Sequence, residues 1–138
     1  MLQKIKMMRL DIEHLETLRR VAEESRPMEA CALLLGRVKG VTVEVTDIRI
    51  TENMDDSPLR FTVDPETLYN ILNRAEREGK AFVGVFHSHP APASPSNIDL
   101  KYMVFNPIVW LIMSTVDGCV KAYQWCDDSI QTVGVECL

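Results

Sequence analysis

The nine residues from Ala81 to His89, AFVGVFHSH, constrain the fold more than any other stretch. An unbroken apolar run, Ala81 to Phe86, leads directly into His87-Ser88-His89. A run of that length suits a strand covered on both faces, in the middle of a sheet. Pro90, Pro92 and Pro95 follow. Proline has no N–H for a ladder, so the strand must stop at the second histidine. The chain therefore carries a central strand that ends in two histidines.

The flanking segments supply what covers such a strand. Residues 11 to 24 read as a helix, with Ile12, Leu15, Leu18, Val21 and Ala22 on one face and Asp11 as its cap. Pro27 stops it. CALLLGRV reads as a buried strand and VTVEVTDIRI, 41 to 50, as a second one, joined by a turn at Lys39-Gly40. TENMDDSPLR is a polar loop. Pro65 opens another helix, with Asp64 as cap and Gly79 at its end. A short helix runs from about Ser96 to Phe105. PIVWLIMST, CVKAYQWC and SIQTVGVEC form three closing strands, with turns at Val116-Asp117-Gly118 and Cys126 to Ser129. The order predicts an α/β fold: a mixed β-sheet flanked by helices.

Length and charge bound the rest. With 138 residues, the chain has room for one domain, 1 to 138, and a core of ordinary size. Its formal net charge of -5 argues against general binding to a phosphate backbone, so no nucleic-acid partner is expected. No apolar run reaches the roughly 18 residues of a membrane helix, and the N-terminus lacks a signal-peptide core. A cytoplasmic protein is expected. Cys31, Cys119, Cys126 and Cys137 contain no CxxC pair and read as reduced, mostly buried thiols. Cys126 and Cys137 are candidates to face each other on neighbouring strands. The apolar residues Met1, Leu2, Ile5, Met7 and Met8 suit either an edge strand packed on its own domain or a homodimer interface.

The chemistry gathers in VFHSHPAPASPSNIDL. Histidines at i and i+2 on a strand point to the same side, so His87 and His89 can converge on one ion. Asp99 sits in the first turn of the next helix, where the loop can fold it back toward the strand end. Two imidazoles and a carboxylate make a three-ligand zinc site with its fourth position open to water, the pattern of catalytic sites. The ion would lower the pKa of that water to roughly 7 and supply hydroxide at neutral pH. Other readings stay open on these residues alone. A His pair also occurs in satisfied cores. Ser96-Asn97-Ile98-Asp99 also fits a capping box, and a carboxylate on a metal would be less free to cap. Glu29, at a helix–strand junction, is the best candidate for a proton shuttle, but a solvated surface Glu fits there too. His14 reads as an ordinary surface or core residue.

Glu29 before CALLLG, then His87-Ser88-His89-Pro90, then Ser96-x-x-Asp99, resembles the JAMM/MPN+ metalloprotease motif. RPMEACALLLG, RFTVDPETLYNILNRAEREGKAFVGVFHSHP and NPIVWLIMSTVDGCVKAYQW resemble that family's framework in the same order, over most of residues 10 to 126. The resemblance implies one zinc held by His87, His89 and Asp99. It implies Glu29 as general acid/base for the attacking hydroxide and Ser96 as donor to the oxyanion. It also implies a fold like that of the zinc-dependent cytidine deaminases. The activity implied is cleavage of isopeptide or peptide bonds after the C-terminal glycines of ubiquitin-like proteins. The chain is most similar to short prokaryotic members, whose partners are β-grasp modifier or sulfur-carrier proteins with Gly-Gly tails. An exposed sheet edge is expected to take such a tail as an extra strand. Two departures stand out. Six residues, PAPASP, separate His89 from Ser96 where the family usually has seven. Ala32 stands where the family often has Gly. The alternatives are a non-catalytic scaffold that binds a ubiquitin-like partner, and a small-molecule zinc deaminase. The second would need a P-C-x-x-C signature that the sequence does not contain.

Overall fold

A computed structural model describes residues 3–55 and 63–138. The elements in chain order are β1 (Met7–Leu10), α1 (Ile12–Ser25), β2 (Cys31–Lys39), β3 (Thr42–Thr51), α2 (Pro65–Arg77), β4 (Ala81–His89), α3 (Asn97–Phe105), β5 (Val109–Ser114), β6 (Val120–Cys126) and β7 (Ser129–Cys137). The α/β class and the mixed sheet are as expected. The polar loop expected over 51–60 lies partly outside the described residues.

The seven strands close on themselves in the order β1-β3-β2-β4-β5-β6-β7. β1 runs parallel to both β3 and β7, and β4 parallel to β5; the other pairs are antiparallel. Closure gives every strand a neighbour on both sides, although among the described residues β1 covers β3 only over Thr42–Glu44 and no strand pairs with Val45–Thr51 on that side. It also settles the N-terminal apolar residues. β1 is not an edge, because it is the strand that joins the two ends of the sheet. Ile5 and Met8 are fully buried in the chain's own core rather than offered to a second copy. Met1 and Leu2 lie outside the described residues.

Two apolar clusters hold the layers. The first draws on all seven strands, with Met8, Leu34, Val43, Phe86, Leu111, Ala122 and Val133 among its members, and takes in Leu18 and Ala22 of α1. The second lies on the other face of β2, β4, β5 and β6. There Leu33, Val85, Trp110, Ile112 and Tyr123 meet Met103 of α3, with Leu68 and Ile71 of α2 against them. Full burial of a side chain such as Phe86 contributes about 1.5–3 kcal/mol. β4 is thus covered on both faces, as its apolar run requires.

The helix ends follow their cap residues unevenly. The Asp64 carboxylate accepts the Thr67 N–H at 3.0 Å. Asp11 occupies the cap position of α1 but makes no side-chain cap bond. Asp127 and Asp128 both take positive φ, 53° and 58°, in the two-residue turn between β6 and β7. That backbone twist matches the twist of the flanking strands. The cysteines need correction. Cys126 pairs with Ser129, and Cys137 lies at the far end of β7, about 27 Å along the strand from that pair. The two thiols cannot bridge. All four cysteines are free, as expected, but only Cys31 is buried. No helix among the described residues is long and apolar enough to cross a membrane.

A bulge between Leu35 and Gly36 shifts the β2–β3 register. A Cβ on Gly36 would stand 1.8 Å from the Glu44 carbonyl oxygen, which is backbone and cannot step aside. Gly36→Ala is expected to cost about 2 kcal/mol. In thermal denaturation that lowers Tm by roughly 4–8 °C. An unchanged melting curve would contradict the close approach of β2 and β3 at this point.

Candidate active site

β4 delivers His87 and His89 to the face that carries Val85, under α2 and α3. The rings stack with centroids 5.4 Å apart. Trp110 meets His87 edge-on at 6.0 Å and closes one side. The loop then turns the chain back, and α3 begins with Ser96 as cap. His87, His89 and Asp99 are all buried, and one ligand atom from each lies within 4.8 Å of the others. Glu29, only 2% exposed, enters from the segment before β2. Its Oε1 lies 3.1 Å from His87 Nδ1. On the other side of the same ring, Asp99 Oδ2 lies 3.3 Å from His87 Nε2. Four of the five residues singled out from the sequence thus converge, and Ser96 adjoins Asp99 at the helix start.

Ser96 and Asp99 do form the capping box. Ser96 N–H donates to Asp99 Oδ2 at 2.9 Å, and Asp99 N–H donates to Ser96 Oγ at 3.1 Å. A carboxylate offers about four lone-pair sites, so one oxygen can accept the cap bond and still face the ring. Ser96 Oγ acts only as acceptor in the box, which keeps its O–H proton available to donate elsewhere.

Two observations bear on a metal. Donors about 2.1 Å from a tetrahedral ion stand roughly 3.4 Å apart, and the His87–Asp99 separation matches that edge. His89 Nε2 is buried and has no hydrogen-bond partner among the described residues. A buried imidazole nitrogen left so is costly unless something is coordinated there. The donor set of two imidazoles and a carboxylate therefore fits a divalent cation of the zinc type.

The electrostatics follow from burial. Burial opposes a charge on His87, yet the carboxylates of Asp99 and Glu29 on either side outweigh it and raise its pKa to about 9. His89 moves down, through burial and then the neighbouring His87 charge. Burial pushes Glu29 up despite the His87 contact. Burial would raise Asp99 too, but His87 and the Ser96 N–H hold it below the usual carboxylate range. One buried carboxyl group is therefore held below its ordinary pKa and the other above it.

Two residues that hold Glu29 in place escaped sequence reasoning. Ser88, between the histidines, points the opposite way; its Oγ accepts the Ala30 N–H at 3.0 Å and its own N–H donates to Ala30 O at 3.1 Å. Asn53 Nδ2 donates to the Glu29 carbonyl at 2.8 Å. A hydroxyl between two histidines that point the other way was the available signal for Ser88. Asn53, 24 residues from Glu29, left none. Beside Asp99 opens an apolar groove of about 350 Å³, walled by Leu33, Leu68, Val85, Ile98, Tyr102 and Trp110.

The family model described as prokaryotic homologs of the JAB domain matches residues 11–126. A Pyrococcus furiosus protein named "Desampylase" is 38% identical over 91 residues, 65% of this chain and 62% of that one. A Haloferax volcanii protein of the same name is 32% identical over 111 residues, covering 79% of this chain and 78% of the other. A Thermus thermophilus protein named "Probable TtuB-protein conjugate cleaving protease" is 38% identical over 77 residues, 54% of this chain and 49% of that relative. The match thus spans about three-fifths of the Pyrococcus relative and about half of the Thermus one. The solution structure of a Desulfitobacterium hafniense protein superposes with a TM-score of 0.85 at 29% identity, over 96% of this chain and 93% of that one. Through a family match that spans the whole stretch from Glu29 to Asp99, the chain belongs to the prokaryotic homologs of the JAB domain, within the JAMM/MPN family.

Proposed function

We propose that residues 1–138 act as one catalytic domain, a zinc-dependent isopeptidase or peptidase. Its substrate is a ubiquitin-like, β-grasp modifier or sulfur-carrier protein, cut after the C-terminal Gly-Gly. The observation that carries this reading is the convergence of His87, His89, Asp99 and Glu29 in one buried cluster beside an apolar groove. Relatives named for desampylation and for cleaving protein conjugates support the substrate class.

His87, His89 and Asp99 would hold the zinc. When bound there, zinc supplies Lewis acidity, which acidifies water and polarises a carbonyl. Glu29 is the proton carrier. Its Oε1 is buried and accepts no directed hydrogen bond among the described residues. Its raised pKa brings it closer to the operating pH, where a base that must also act as acid works best. It takes the proton from the attacking water and delivers it to the leaving amine. Ser96 donates its free O–H to the oxygen that becomes negative, while the cap holds its Oγ in position. An extended tail lies along the groove beside Asp99, where glycines let its backbone approach the site.

Glu29→Gln keeps the shape and removes the proton carrier. Zinc content is expected to stay as in the wild type, while cleavage of a Gly-Gly-linked modifier conjugate falls by roughly 10²–10⁴-fold. Mass spectrometry of the products would also show whether the cut follows the second glycine. Retained turnover in this variant would overturn the role of Glu29.

Zinc uptake must also displace the proton that His87 holds in the metal-free chain up to about pH 9. Raising the pH removes that competitor, so affinity should increase about tenfold per pH unit from 7 to 9 and level off above. Competition with a chelator of known pH dependence measures this. Affinity that falls over the same interval would contradict the charge arrangement around His87.

A further inference from the structure

The loop from Pro90 to Pro95 links one proposed ligand, His89, to the helix that carries the other, Asp99. It is short, and what fixes it comes from far away in the sequence. Ser94 N–H donates to Pro92 O at 2.7 Å, a tight turn centred on Ala93. Ala93 is buried. Its carbonyl accepts the Tyr123 hydroxyl at 2.9 Å, across 30 residues, in a buried setting. The carbonyl of the next residue, Ser94, lies within reach of the His89 ring. Nε2 of that ring is buried and has no partner among the described residues, which leaves Nδ1 as the atom for that carbonyl to meet. A ring whose Nδ1–H donates to a carbonyl carries its lone pair on Nε2, which is the form that binds a metal. Two residues beyond Ser94, Ser96 exchanges both capping bonds with Asp99.

We propose that Tyr123 is a positioning residue of this site: its hydroxyl pins the Ala93 carbonyl and thereby sets the His89 ring and the Ser96–Asp99 cap. The inference rests on the zinc reading of the site. Tyr123 touches none of the reacting groups. Its ring packs in the cluster formed with Leu33, Val85, Met103, Trp110 and Ile112. The hydroxyl adds something the ring does not: one fixed point near the middle of a six-residue loop, PAPASP. A loop with so little slack passes a displacement of Ala93 to both of its ends.

Tyr123→Phe keeps the ring and removes only the hydroxyl. Zinc affinity of the variant, read by chelator competition, is expected to fall by roughly 10–100-fold, as for other partners that orient ligand histidines. The visible spectrum of the cobalt-substituted protein should shift. Val133→Ala is the control, a core truncation on β7 in the other apolar cluster. It should lower thermal stability yet leave zinc affinity and the cobalt spectrum unmoved. Nitrogen-15 NMR of wild-type His89 adds a test that needs no variant: the Nδ1–H tautomer is expected. The Nε2–H tautomer would overturn the proposal. So would a Tyr123→Phe protein with wild-type zinc affinity and spectrum, or equal losses in Val133→Ala. A wild-type chain that takes up no zinc would overturn the zinc reading itself and this inference with it. None of these readouts depends on knowing the substrate, so the two failures are distinguishable.

Discussion

One carboxylate oxygen joins the helix to the site. Asp99 Oδ2 accepts the Ser96 N–H at 2.9 Å and stands 3.3 Å from His87 Nε2. The first contact fixes where α3 begins. The second fixes α3 against the end of β4. Because both act through the same atom, the helix cannot shift along its axis without separating Asp99 from His87. The groove beside Asp99 takes its place from the same contact, since Ile98 and Tyr102 on α3 form its wall.

Burial makes that contact costly unless it is balanced. His87 is wholly buried between two carboxyl groups, and Glu29 and Asp99 are nearly so. Charges taken out of water this far are tolerated only when paired. A cation between the carboxylates provides the pairing, and in the metal-free chain a proton on His87 fills that role. The proposed zinc would take over from the proton. The clamps on Glu29 serve the same balance, since Ser88 and Asn53 hold its backbone through Ala30 and its own carbonyl. The carboxylate is therefore presented to His87 by a clamped segment, although its Oε1 accepts no directed hydrogen bond among the described residues.

The parts of this molecule legible in the sequence are those with a local physical cause. The apolar run into His-Ser-His reads as a central strand because nothing else buries it. The cap at Asp64 and the box at Ser96 read correctly because capping depends on residues three apart. Asp11 takes the cap position as read but makes no side-chain cap bond, since residue type sets only the option of one. Closure of the sheet was not legible. It depends on β1, four residues long, pairing with β3 and β7 at once, and periodicity carries no record of partners. The apparent cysteine pair failed for the same reason: the turn at Asp127-Asp128 sets the register and sends Cys137 away from Cys126. At the site, residue types and spacing pointed to His87, His89 and Asp99. Spacing could not show that cap and ligand geometry coexist on one carboxylate, nor that Asn53 and Tyr123 reach in from other elements.

The most direct test of the central claim is zinc per chain by elemental analysis, in the wild type and in Asp99→Asn. Asparagine keeps an oxygen to accept the Ser96 N–H, so α3 retains its cap while the ligand charge is lost. The account predicts about one zinc per wild-type chain, as for a three-ligand catalytic site, and a marked loss in the variant at unchanged helix content. A wild type that stays free of zinc after reconstitution, or a variant that keeps its full complement, would contradict it.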